Sequence, residues 1–146
     1  MRTGYRSLLA AVCAAAALAV ASCSGGGSDG GGTSCATPIT LTPGAWCITL
    51  TSTQNTCGTP LDSTPYTATF TQSGTSLSAV VPSTGATFAG TICGNTATLS
   101  GTNNPSVKTD IQITFATADS ATGTTNWTPP TCSGVDTFTA VSGTCL

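Results

Sequence analysis

One pattern recurs from residue 46 to residue 142: short runs in which apolar residues alternate with threonine or serine, separated by turn residues. Alternation with period two places apolar side chains on one face of a β-strand and polar ones on the other. Six clear runs have the apolar members Trp46-Ile48-Leu50, Tyr66-Ala68-Phe70, Leu77-Ala79-Val81, Phe88-Gly90-Ile92, Ala97-Leu99 and Ile111-Ile113-Phe115. Two weaker runs follow, at 121–128 with Trp127 and at 135–142 with Phe138. The chain is therefore predicted to be all-β.

The connections between these runs are short and contain glycine, as in residues 72–74, 82–85 and 93–95. The middle strands begin about every ten residues, which is the spacing of a meander, a sandwich or a barrel. A sheet of eight strands with one apolar face tends to curl until that face is enclosed, which also removes its exposed edges. We predict an antiparallel up-and-down β-barrel of about eight strands, with a two-sheet β-sandwich as the alternative.

The composition excludes most catalytic chemistry. Only 5% of the residues are charged, against about 25% in typical soluble domains, and the chain contains neither histidine nor glutamate. Histidine metal sites, Ser-His-Asp or Cys-His catalysis and glutamate acid/base pairs are therefore ruled out, and no serine has a base to activate it. Three Lys+Arg against five Asp+Glu also exclude a nucleic-acid surface. We expect no enzyme activity, no metal and no cofactor.

The first 22 residues are predicted to be an export signal. Arg2 and Arg6 precede an apolar run of 14 residues, from 8 to 21, which glycines follow shortly afterwards. A helix needs about 20 residues to cross about 30 Å of hydrocarbon, so this run fits a secretory signal peptide better than a membrane span.

The residues Val20-Ala21-Ser22-Cys23 resemble the lipobox of bacterial lipoproteins. The resemblance implies that Cys23 becomes the first mature residue and carries a diacylglyceryl group, often with an acyl chain on its amine. Ser24, in place of aspartate, implies the outer membrane where the host has one. Two or more acyl chains anchor a protein stably. The membrane is then a partner through the lipid anchor.

After such processing, the chain would have a flexible Gly/Ser-rich linker followed by one domain, residues 35–146. Cys23 and residues 24–34 form the linker segment. The mature chain keeps Lys108 against five aspartates, a net charge of −4. Its protein surface therefore has no attraction for anionic membranes or nucleic acids.

Residues 70–74 (Phe-Thr-Gln-Ser-Gly) and 87–95 (Thr-Phe-Ala-Gly-Thr-Ile-Cys-Gly-Asn) are similar to hairpins of lipocalin-like and avidin-like bacterial lipoprotein domains. The similarity covers roughly residues 66–101. It implies a small β-barrel and identifies no catalytic or ligand-binding residue.

Six cysteines remain in the predicted domain once Cys13 and Cys23 are set aside, and an even number in an exported domain predicts disulfides. In an up-and-down barrel, alternating strand directions place only Cys57 and Cys132 at one end, so we predict that these two pair. The other end receives the remaining four, whose pairing stays open: Cys35, Cys47, Cys93 and Cys145. Cys145 bonded to Cys35 or to Cys47 would fasten the first strand to the last.

Two functions fit these features. The first is a cell-envelope lipoprotein that acts as a structural or interaction module through its Thr/Ser-rich outer face. The second is a barrel that binds a small apolar ligand, with small mid-strand residues leaving a cavity. The aromatic residues that would ring that cavity are Trp46, Tyr66, Phe70, Phe88, Phe115 and Trp127. A packed interior is the competing interpretation of the same pattern.

Overall fold

The computed structural model of the protein describes residues 34–58, 60–104 and 107–146. The predicted signal peptide (1–22), the predicted lipidation site Cys23 and the linker up to residue 33 lie outside the described residues. Within the described ranges every regular element is a strand. The strands are β1 (Gly44–Asn55), β2 (Tyr66–Ser73), β3 (Ser76–Val81), β4 (Ala86–Cys93), β5 (Thr96–Asn104), β6 (Val107–Thr117), β7 (Ser120–Thr128) and β8 (Gly134–Ser142).

These strands form a closed barrel in which each strand pairs antiparallel with the next, and β8 pairs antiparallel with β1. The predicted eight-stranded up-and-down barrel is thereby confirmed, and the sandwich alternative is excluded. We call the end where β1 stops at Asn55 and β8 starts at Gly134 the upper end, because these two residues are register partners there. The opposite end, with the turns at residues 74–75, 94–95 and 118–119, is the lower end.

The lower half of the interior is filled by three aromatic rings. Trp46, Phe70 and Phe115 are each at most 5% exposed. Trp46 contacts the other two edge-to-face, with centroids 5.3 Å from Phe70 and 5.9 Å from Phe115, and the two phenyl rings lie 6.3 Å apart. Such edge-to-face contacts are favourable beyond the burial of area alone.

The segment 34–43, which precedes β1, closes the lower end; we call it the lower cap. The Gln72 side chain holds it in place, accepting from the Leu41 N–H and donating to the Ile39 carbonyl, both at 2.9 Å. The Trp46 indole N–H donates to the Thr42 carbonyl at 3.1 Å, and Leu41 is buried in the core cluster. The lower end is therefore covered by backbone whose polar groups are satisfied partly from inside the barrel and partly by the turns at the lower end.

Three disulfides fasten this arrangement. Cys57 bonds to Cys132 at the upper end, the pair that the strand directions predict, with 5.3 Å between their Cα atoms. At the lower end, Cys47 bonds to Cys145 and Cys35 bonds to Cys93. The first two bridges join the region of β1 to the region of β8 across the seam, and the third ties the lower cap to the end of β4.

Threonines cover much of the outer face and lie side by side across the strands. One row follows the register around five strands: Thr49, Thr139, Thr122, Thr114 and Thr96. Cross-strand threonine neighbours stabilise a sheet modestly, and their hydroxyls face solvent.

Candidate ligand-binding site

The upper end of the barrel opens into a cavity of about 730 Å³, which we call the mouth. Upper, inward-facing residues of the strands form most of its walls, and its rim includes Asp62, Thr64 and Pro65 from one loop and residues 82–84 from another. Apolar side chains form part of the wall: Leu50, Val81, Phe88 and Ile111. A smaller cavity of about 40 Å³ lies deeper and shares Tyr66, Val81, Phe88, Ile111 and Thr125 with the mouth. The barrel is thus a cup, closed below and open above.

A carboxylate lies on the inner wall of this cup. Asp136 of β8 alternates in phase with the buried Phe138 and Ala140, so its side chain faces the interior. The Thr53 hydroxyl donates to its Oδ1, and the Trp127 indole N–H donates to its Oδ2 at 2.8 Å. A carboxylate has about four acceptor positions, so these two donors use about half of them.

Gly134 permits the position of Trp127. A Cβ at residue 134 would lie 2.2 Å from Trp127 Cζ2, so any larger residue there would displace the indole. The ring lies over the glycine of the neighbouring strand, its register partner, and from there the indole N–H reaches Asp136.

Thr109 of β6 provides a second polar group in the wall. It alternates in phase with Ile111 and Ile113, lines the mouth and is 4% exposed. Its Oγ1 is buried and has no hydrogen-bond partner among the described residues. A buried hydroxyl without a partner costs about 1–3 kcal/mol. Because the Thr109 residue lines the mouth, a change of its χ1 rotamer would present this hydroxyl to a molecule in the cavity, which can supply the missing partner.

Tyr66 and Asp62 complete the polar lining. Burial raises the pKa of the Tyr66 phenol above its usual value, and the negative charge of Asp136 raises it further. Asp62 lies exposed at the rim, where the backbone N–H of Thr64, at 3.0 Å, and the Thr64 side chain hold the pKa of its carboxyl below the usual range. The described lining of the mouth thus contains two aspartates and neither lysine nor arginine.

The proximity of Tyr66 to Asp136 predicts a measurable titration. In an ultraviolet pH titration, subtracting the curve of the Tyr66→Phe variant removes the contribution of Tyr5. The remaining absorbance change is expected to show that Tyr66 ionises above pH 10. In the Asp136→Asn variant, the pKa of Tyr66 is expected to fall part of the way toward its usual value, because burial, the larger cause of the shift, remains. The raised pKa contributes stability below about pH 10 that is lost as the pH rises through the folded-state pKa. An unchanged Tyr66 titration in Asp136→Asn would contradict this placement of the two groups.

The six aromatic residues predicted to ring a cavity lie in different places. Tyr66 and Phe88 line the mouth, and Phe70 borders the deeper cavity. Trp46 and Phe115 are packed in the closed lower half. Trp127 is half-buried and bonded to Asp136. Packing and a cavity therefore coexist, in the lower and upper halves of one interior.

The sequence-based prediction missed Asp136 and Thr109. The period-two alternation contained the signal in each case. Each residue stands two positions before the first buried apolar residue of its strand's inward face, Ile111 or Phe138, and so lies on that same face. Asp119 lies in a turn at the lower end and accepts from the hydroxyls of Thr42 and Ser142.

The protein is therefore a β-barrel that is closed at its lower end and open at its upper end, where it has a cavity of about 730 Å³. No protein-family model, curated protein or solved structure matches the chain. Within the described ranges, no helix combines the length and apolar character that crossing a bilayer requires.

Proposed function

We propose that this protein is a lipid-anchored component of the cell envelope that binds a small, largely apolar molecule in the mouth of its barrel. The observation that carries the proposal is the Thr109 hydroxyl, buried in the wall of the cavity without a hydrogen-bond partner among the described residues. In a barrel built only for stability, this position favours valine, which has the same shape and no polar group.

The dimensions of the mouth agree with this function. Sites for small molecules are concave, occupy roughly 300–1,000 Å³ and combine apolar walls with a few polar groups. The mouth has about 730 Å³, apolar walls and the polar groups of Asp136, Thr109 and Tyr66. The closed lower end and three disulfides keep such a cavity open without a ligand, which lowers the ordering cost of binding.

The lipid anchor fits the same arrangement. The described chain begins at Ser34 beside Cys35, which is bonded to Cys93 at the lower end. The described chain thus enters the barrel at its closed end, and the mouth is the opposite end.

Titration with the neutral fluorescent dye N-phenyl-1-naphthylamine tests the proposal. We expect saturable binding of one dye per protein. Thr125→Phe, which adds a ring on the inward face of β7, is expected to weaken binding at least about tenfold, or about 1.4 kcal/mol. The adjacent outward residue provides the matched control, Thr124→Phe, which should bind as the wild type does. Circular dichroism confirms that both variants fold.

A second candidate function rests on the row of threonines on the outer face, which offers hydroxyls to a protein partner. Absence of saturable dye binding, or equal binding by the two phenylalanine variants, would overturn the ligand-binding proposal in favour of this interaction module.

A further inference from the structure

We infer that the mouth selects a ligand with a protonated amine at one end of a compact apolar body. This inference rests on the proposed ligand-binding function and specifies the chemical class of its ligand.

The charges of the mouth are of one sign. Asp62 stands at the rim and Asp136 on the inner wall, and the described lining contains no basic residue to balance either. Lys108, the single cation of the described chain, is exposed and lies one residue from the inward-facing Thr109, so it points away from the cavity. A cavity with low-dielectric walls concentrates the field of such charges and attracts cations.

The hydrogen-bonding groups are brought together by the register of three strands. Thr109 of β6 is the register partner of Trp127 of β7, and Trp127 donates to Asp136 of β8. The Trp127 indole and the Thr53 hydroxyl have used their N–H and O–H on Asp136. The Asp136 carboxylate retains acceptor capacity, and the buried Thr109 hydroxyl, which can accept as well as donate, lies in the same wall.

An ammonium group matches this set because it carries a positive charge and three donors and has no acceptor. An alcohol has one donor and no charge, and a carboxylate head group would face two aspartates. A bare metal ion is less suitable, since no cluster of three or more His, Cys, Asp or Glu side chains exists among the described residues. The walls of Leu50, Val81 and Phe88 take the apolar body.

Three molecules with the same apolar cage separate these possibilities: 1-adamantylamine, 1-adamantanol and adamantane-1-carboxylate. Isothermal titration calorimetry at pH 7 is expected to show the amine binding at least about tenfold more tightly than the alcohol, and the carboxylate most weakly. In Asp136→Asn, the affinity for the amine is expected to fall about tenfold while that for the alcohol stays within about twofold.

The Thr109→Val variant distinguishes a ligand-binding role of Thr109 from a merely structural one. Removing an unpartnered buried hydroxyl should raise the Tm of the empty protein by about 4 °C or more, while the amine binds several-fold more weakly. Thr114→Val, on the exposed face of the same strand, is the matched control and should leave amine binding unchanged.

The possible results distinguish a failure of this inference from a failure of the proposed ligand-binding function. If the alcohol or the carboxylate binds as tightly as the amine, the inference is wrong and the ligand-binding function stands. If none of the three binds, and the neutral dye also fails, both are wrong. Unchanged amine binding in both Asp136→Asn and Thr109→Val would likewise overturn the inference, because the amine would then bind elsewhere.

Discussion

Replacing Trp46 with alanine is expected to lower the free energy of unfolding by about 3–5 kcal/mol. The Trp46 side chain is fully buried and contacts two other rings edge-to-face, so its removal leaves a cavity in the packed lower half. It also removes the hydrogen bond to the Thr42 carbonyl, which helps to hold the lower cap. Urea unfolding with the disulfides intact, followed by circular dichroism, measures the change.

Val141→Ala is the control for this substitution. Val141 is 56% exposed on the outer face of β8, and its truncation is expected to change stability by no more than about 0.5 kcal/mol. A loss below about 1 kcal/mol for Trp46→Ala would mean that Trp46 does not belong to a packed interior, contrary to the closed lower half described above.

Removing the Cys47–Cys145 bridge as Cys47→Ala/Cys145→Ala is expected to cost about 2–4 kcal/mol. With the Cys57–Cys132 bridge intact, this bridge closes a ring of roughly 25 residues, 47–57 and 132–145, and so removes conformational freedom from the unfolded chain. It also holds the C-terminal residues beside β1, with 4.8 Å between the Cα atoms. Guanidinium unfolding of the oxidised variant measures the loss, after mass spectrometry confirms that the other two bridges have formed.

The variant Cys35→Ala/Cys93→Ala is the matched comparison, because its bridge closes the longer ring, with a sequence separation of 58 residues. Closure entropy depends on the logarithm of ring size, so this variant should lose only about 0.5–1 kcal/mol more than the first. A difference of several kcal/mol would show that contacts in the folded state, rather than the freedom of the unfolded chain, dominate the contribution of one bridge.

The fold was predictable because each strand shows its inward face in the sequence. The runs from Trp46, Leu77 and Ile111 have period-two alternation, and each apolar member named in them is buried or half-buried. The Cys57–Cys132 pair followed from strand directions alone. The pairing of the other four cysteines was not predictable, because it depends on where the lower cap runs. That segment has no periodicity and is positioned by Gln72 and Trp46.

The polar residues of the mouth were harder to predict for a different reason. Threonine and aspartate at the start of a strand usually face water, and Asp136 and Thr109 occupy such positions. They face inward because β6, β7 and β8 extend beyond the apolar runs, so that inward positions continue above the packed rings. Only the register across three strands shows that the two residues border one cavity.

Chemical-shift mapping of the ¹⁵N-labelled protein during titration with 1-adamantylamine tests the central claim, that the open end of the barrel is a binding site, most directly. The predicted result is a saturable shift of backbone amides at Tyr66, Thr109 and Asp136, with the amides of the lower cap and of Thr96 and Thr122 unmoved. Saturable shifts confined to the outer threonine row or to the lower cap would contradict it, as would the absence of any saturable shift with both 1-adamantylamine and the neutral dye.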